Sequence, residues 1–516
     1  MTASKQNSII PILLFIGGVL SRIPFTSSIL YNWDSVQFAF GMTNFDLTGH
    51  QPHPPGYFLY VMIGKLLNLA AGDANISLVM LSVISSGIFI SAMYLLVIEL
   101  SGSRMAALGA SALAATSPMI WHYGEVAAIY VPEAALFAVF CIVCLRTMNS
   151  RDATSTLWAS AVLLAFIAGF RVTTAAFLFP LWVFSLRKYP VKVIALSLLL
   201  FGATSLLWFV AMVKATGGYE NYRAAMYDMR NFALKPYWAA GVSSMYVFGN
   251  ILLRNIYLGV GVSFAMGLAH LVSRPVESLR ALKSEKAVFI VLMLLPQALF
   301  FIFIFNHPNN PGLNMLVVHP LLVIFSIAAV NISGHMRMHG RFSAGLVVLA
   351  FVIASIYNTH FFLKRDSEVS YSFFAGQKMR VTAFTEAVRS NFTPAEAAVF
   401  GTMHIYVGPR HFMYYMPEFP VYIYDDSIGL DGNTRNVLSG MNRRTRVARD
   451  MEIPAGVKYF VLHSFDKDLV YKLGFSQIDK IKNLRDNNGN VVGFYGDIKY
   501  AETLFKPISI RRVPEL

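Results

Sequence analysis

Apolar runs close to the length that crosses a bilayer as a helix, about 20 residues, recur from residue 8 to about residue 362. In lipid the backbone polar groups must be satisfied within the segment, so such runs fold as helices. They fall at 8–24, 77–100, 105–122, 131–147, 155–170, 172–186, 191–213, 250–272, 286–305, 312–332 and 342–362. The expected fold is therefore mainly α: a polytopic membrane helix bundle of about eleven spans over residues 1–362. Only 14% of the chain is charged, against about 25% in ordinary soluble proteins.

Past residue 362 the composition becomes mixed and charged. A helical pattern near 374–391 precedes strand-like runs AAVFGTMHIY, PVYIYDD, VKYFVLHSF and NVVGFYGDI. Residues 363–516 thus read as a small soluble α/β domain, large enough to fold alone.

The formal net charge of +14 does not form one patch. Many basic residues lie in short loops, as membrane topology requires, so nucleic acid is not the expected partner. Arg104, Arg146, Arg151, Arg187, Lys188, Lys192, Arg274, Arg280, Lys283, Lys286, Arg337 and Arg341 mark one side. With the N-terminus inside, all of these become cytoplasmic, and the C-terminal domain falls outside. The opening run lacks a small-residue cleavage site and reads as a retained first helix. The expected location is a prokaryotic cytoplasmic membrane. Cys141 and Cys144, spaced CIVC, sit within an apolar run and read as small residues in a membrane helix.

The opposite face collects the polar chemistry. Within 25–76, the stretch 55–70 is apolar but short and opens on Pro54, Pro55 and Gly56. It reads as an interfacial helix, because counting it as a span would invert every later loop. Asp34, between Trp33 and Phe38, is either a carboxylate held at the membrane surface for base or cation-binding work or a helix cap. His53 is either presented by the rigid proline turn or simply exposed in the loop. Glu125 and Glu133 lie near the outer face, where an uncompensated carboxylate is costly. Glu125 is the stronger candidate, since Glu133 reads as lying inside the next helix. Arg171 separates two apolar segments. Its guanidinium suits a phosphate, or it contacts ordinary headgroups. Segment 214–249 mixes aromatics with Arg223, Arg230 and Lys235, fitting a sugar-phosphate lipid or an interfacial belt. The polar loop NHPNNPG, with His307 and Asn309, lines a cavity or simply turns.

Taken together, NWDSVQFAF, HPPGYFLYVMIGKLL, SRMAALGASALAATSP, GEVAAIY and HPNNPG resemble the GT-C superfamily of polyprenyl-phosphate-sugar-dependent glycosyltransferases. The likeness is to protein O-mannosyltransferase-like and aminoarabinose-transferase-like members and covers most of residues 8–362. HPPGY is its best single marker. The resemblance implies a GT-C-like bundle with interfacial helices in the first outer loop. It implies inverting transfer of a sugar from a polyprenyl-phosphate donor to a protein, lipid or glycan acceptor on the extracytoplasmic face. Asp34 would be the base, with Glu125 as a second catalytic carboxylate. Arg171, His53, Arg223 and Arg230 would hold the donor phosphate. Tyr57, His307 and Asn309 would line the acceptor cavity. Metal use varies across the superfamily, and a divalent cation, if used, would lie on Asp34 and Glu125. Many members carry two adjacent acids in the first loop, whereas here Ser35 follows Asp34. A lipid or polysaccharide transporter is the alternative, but internal repeats are not evident and the acids gather at one face. A scaffold would not need outer-face charges to converge.

Overall fold

The structure is a computed structural model describing residues 2–149, 154–231, 241–273, 283–333, 340–402, 404–428, 434–439, 450–466, 480–501 and 509–513. Lys235, Tyr237 and Trp238, together with Arg151, Arg274, Arg280 and Arg337, lie outside these. The chain forms two compact units. One comprises Met1–Ser27, Pro54–Glu220 and Ala240–Phe373; the other Ser28–His53, Asn221–Ala239 and Phe374–Leu516.

The first unit is a helix bundle. Among the described residues seven helices are long and apolar enough to cross a membrane, and four apolar helices are shorter. The long group includes α4 (Ala74–Ser101), α7 (Tyr130–Asn149) and α10 (Val191–Ala215). α1 (Thr2–Arg22), α3 (Phe58–Ala71), α8 (Thr154–Phe170) and α9 (Val172–Leu186) contain or form the shorter ones. The most apolar window of α7 is 78% buried, that of α10 only 11%. α7 therefore sits inside the bundle, and α10 presents apolar side chains outward, as a lipid-facing helix does.

Small residues let the inner helices approach closely. A Cβ on Gly18 of α1 would meet Gly87 Cα of α4 at 2.9 Å. The expected span 105–122 divides into α5 (Arg104–Thr116) and α6 (Pro118–Tyr123). Ser117 makes this break. It caps α6, its Oγ donates to the Gly259 carbonyl at 2.6 Å, and Pro118 follows at the first helical position.

Charge divides the bundle's ends. At one end Arg146 pairs with Glu99, Arg187 and Lys188 pair with Glu285, and Lys286 donates to the Leu100 carbonyl. These residues belong to the expected basic side. The other end holds Arg22, Glu125, Glu133 and Arg171.

The second unit carries a six-stranded sheet, ordered β3-β2-β1-β5-β7-β6. β1 (Ala397–Thr402), β2 (Val421–Ile428), β5 (Tyr459–His463) and β7 (Val491–Asp497) fall on the four strand-like runs. β3 (Thr434–Ser439) and β6 (Lys482–Arg485) close its edges, and β4 (Asp450–Pro454) pairs with β8 (Ser509–Val513) apart from it. β1 lies in the middle, parallel to β2 and β5. The later helix Tyr371–Asn391 packs Val381, Phe384 and Val388 on Val399, Val421 and Val461. The same core takes in Ile29, with Trp33 and Phe40 against it. Ser28–His53 of the first loop thus belong to the compact unit that contains the C-terminal sheet, and Pro54 onward to the helical unit.

Candidate active site

α2 (Trp33–Thr43) presents Asp34 in its first turn, where a helix dipole favours a carboxylate. Asp34 does not cap the helix. Asn32 does: its Oδ1 accepts from Ser35 N–H at 2.9 Å, and Ser35 Oγ accepts from Asn32 N–H at 3.3 Å. This reciprocal box leaves the Asp34 side chain outside the capping hydrogen bonds. Gln37 follows three residues later, on the same helical face.

The chain then folds back. Asp46 Oδ1 accepts from both Thr48 N–H and Thr48 Oγ–H, and Asp46 and Gln51 form a two-residue bridge. Gly41 permits the return, because a Cβ there would lie 3.0 Å from Pro52 Cδ and 3.1 Å from the Gln51 oxygen. This brings His53 Nδ1 to 2.7 Å from Gln37 Oε1 and 3.5 Å from Asp34 Oδ1. Nδ1 faces two acceptors, which fixes the proton on that nitrogen. The Asp34 and His53 side chains are 31% and 13% exposed. The site is half-open and its imidazole is held.

In the helical unit the carboxylates are placed differently. Glu133, fourth residue of α7, is 2% exposed and accepts from Arg171 Nη1 at 2.8 Å and from Thr174 Oγ. Arg171 forms the corner between α8 and α9, and its guanidinium lies 5.8 Å from the Tyr130 ring. Tyr57 contributes to the electrostatic environment of Arg171. Tyr57 opens α3 with φ +48°, a left-handed geometry that is costly for a side chain this large. Asn310 Nδ2 donates to Tyr130 Oη at 2.5 Å, and Tyr123 Oη donates to Asn310 Oδ1 at 3.4 Å.

Glu125 is fully buried, and neither of its carboxyl oxygens has a hydrogen-bond partner among the described residues. Burial pushes its carboxyl well above the usual carboxylate range, with Arg22 and Trp121 acting against that shift. Arg22, also fully buried, donates to the Ala115 carbonyl at 2.8 Å and lies 4.8 Å from the Trp121 ring. The Glu125 carbonyl accepts from Ser27 N–H at 2.9 Å.

The remaining sequence candidates are less enclosed. Arg223 on α11 (Tyr219–Met229) and Arg230 just past it are exposed. His307 Nδ1 accepts from Asn309 N–H at 3.2 Å, which makes the loop a turn, with Asn309 exposed. The structure brings together Asp34 with His53, and Arg171 with Glu133. Sequence reasoning missed Gln37, Arg22, Tyr130, Thr174 and Asn310. Gln37 had a signal, its three-residue spacing from Asp34; the others depend on contacts between distant helices. Among the described residues, no group of three or more His, Cys, Asp or Glu side chains gathers as a metal site would.

The helix bundle with its α/β sheet has a GT-C-like fold, in keeping with the resemblance read from the sequence. Residues 43–194 match the family described as "Protein O-mannosyl-transferase TMEM260 N-terminal domain". That segment contains His53, Glu125 and Arg171; Asp34 precedes it. The crystal structure of ArnT from Cupriavidus metallidurans in the apo state is similar in fold, with a TM-score of 0.58 and 11% identity, covering 96% of this chain and 98% of that one. The apo oligosaccharyltransferase of Archaeoglobus fulgidus follows with a TM-score of 0.54 and 12% identity, covering 91% of this chain and 70% of that one. No curated protein matches the sequence.

Proposed function

We propose that the protein is an inverting membrane glycosyltransferase that moves a sugar from a polyprenyl-phosphate donor to an acceptor hydroxyl on the extracytoplasmic face. The acceptor oxygen attacks the anomeric carbon, the bond from that carbon to the phosphate oxygen breaks, and polyprenyl phosphate leaves. Asp34 takes the acceptor proton. The observation that carries this reading is the Asp34–His53–Gln37 arrangement. It is a half-open carboxylate, released from capping and set beside an oriented imidazole, on the fold of sugar-transferring membrane enzymes.

Developing charge on the leaving phosphate calls for fixed cations and donors. Arg171 is the buried candidate for that work, with Glu133 fixing its direction; Arg223 and Arg230 supply further positive charge. Glu125 is the second carboxyl. Tyr57, His307 and Asn309 line the acceptor side. A divalent cation, where used, would neutralise phosphate charge. Of the two carboxyls the sequence offered it, Asp34 and Glu125, Asp34 is the half-open one, and substrate oxygens would complete its shell.

The test uses full-length protein in lipid nanodiscs with a panel of undecaprenyl- and dolichyl-phosphate-linked sugars. Asp34→Asn should cut transfer by about a hundredfold to ten-thousandfold, the usual worth of a positioned base. Full transfer by this variant would remove Asp34 from the mechanism.

A further inference from the structure

The C-terminal α/β domain has no role in the chemistry above, yet its contacts concentrate on α2. β1 is flanked by parallel β2 and β5. The strand order continues from β1 to β2 on one side and from β5 to β7 and β6 on the other, so it reverses between β1 and β5, where sheets of this type seat what they bind. Here Ile405, in the loop after β1, accepts a hydrogen bond from Trp33 N–H at 2.6 Å. The short helix Pro409–Tyr415 follows that loop. Its Tyr415 Oη accepts from Leu30 N–H at 2.7 Å. Its Arg410, 8% exposed, donates from Nη2 to the Gly49 carbonyl at 2.9 Å. The same guanidinium lies 5.7 Å from the Trp33 ring and 6.0 Å from the Phe40 ring. Arg410 therefore grips both the start of α2 and the loop that carries its chain back to His53.

We infer that the C-terminal domain is the positioning element for the Asp34 helix, with Arg410 and Tyr415 as positioning residues that act through α2. The occupant of the sheet's crevice is a segment of the chain's own first loop. The inference rests on the reading of Asp34 as the base, while the anchoring itself stands on the contacts alone. Its chemical logic is that a catalytic group must be fixed to within a fraction of an ångström. A displacement of about 1 Å costs on the order of a hundredfold in rate.

The experiment compares wild type, Arg410→Ala, Arg410→Lys, Tyr415→Phe and Asp34→Asn as full-length proteins in nanodiscs. Hydrogen exchange is followed by mass spectrometry, together with turnover on the donor panel. Arg410→Ala should speed exchange over residues 29–48 about tenfold or more, the loss of roughly one well-made hydrogen bond or charge contact. Peptides from β1 and β5 should stay protected, which reports that the domain is folded. Turnover number should fall by about a hundredfold while KM for the donor holds, and Arg410→Lys should recover part of both effects. Tyr415→Phe, which removes one oxygen, should speed exchange at Leu30 alone. Unchanged exchange over 29–48 in Arg410→Ala overturns the anchoring. Faster exchange with undiminished turnover overturns the positioning role. Full turnover by Asp34→Asn would sink the base assignment instead, and the exchange result would then decide the anchoring by itself.

Discussion

The carboxylates of the two units stand in contrast. Asp34 is partly open, excluded from its helix cap and set 3.5 Å from a histidine nitrogen. Glu133 is 2% exposed and saturated by Arg171 and Thr174. A group that must take up and release a proton needs access and an adjustable neighbour. A group that sets the direction of a guanidinium needs burial and a fixed partner. Under the proposed function, the first loop carries the chemistry and the bundle places charge. Glu125 is a third case: buried like Glu133, yet without a hydrogen bond to its oxygens. It sets the contrast's limit, because burial alone does not make a structural pair.

Glu133→Gln tests the contrast most severely. It leaves the Arg171 charge buried and uncompensated, which should cost about 3–5 kcal/mol and lower the melting temperature of the purified protein. A melting temperature equal to wild type would show that the pair is not structural. Gly312→Ala sharpens the same region, since a Cβ there would clash with the Tyr130 ring. Overpacking of that kind should cost about 1–3 kcal/mol, read in the same melt. In the first loop, Asn32→Ala removes the cap and should cost about 1 kcal/mol. Its sign should appear as faster exchange at the start of α2 rather than as a global melt.

The smallest effect concerns pH. Burial pushes His411 down to about 4 from 6.5; His463 adds to this, and the Leu30 backbone opposes it. The sign follows from proton uptake. Between these two values the unfolded chain binds the proton and the folded domain does not, so stability is lost as pH falls through that window. Protection factors across β1 and β5, taken relative to the intrinsic exchange rate at each pH, should fall from pH 7 to pH 5, and His411→Gln should flatten the dependence. Protection factors that do not change with pH would contradict it.

Much of this was legible in the sequence. Helices occupy the eleven expected positions, although the first, fifth and sixth are short and the third and eighth are broken. The hydrophobic run reports that a segment is buried in something apolar, not how a Ser-Pro step will divide it. Four strands were readable from alternating apolar residues. β3, β4, β6 and β8 were not, because segments such as KNLR and SIRRV become strands only by pairing with partners distant in sequence. The candidate acid was visible as a carboxylate at the membrane edge. Its relation to Gln37 and His53 depended on the return made possible by Gly41. Arg410 was invisible, since nothing in GPRHFMYY points to a contact with residues some 360 positions earlier.

The central claim is that the open carboxylate does the chemistry and the buried one holds the structure. The most direct measurement is a side-by-side comparison of Asp34→Asn and Glu133→Gln, with sugar transfer and melting temperature taken from the same nanodisc preparation. The account predicts lost transfer with an unchanged melt for Asp34→Asn, and a lowered melt for Glu133→Gln. An Asp34→Asn protein that transfers sugar like wild type, or loses transfer only because it has unfolded, would contradict it.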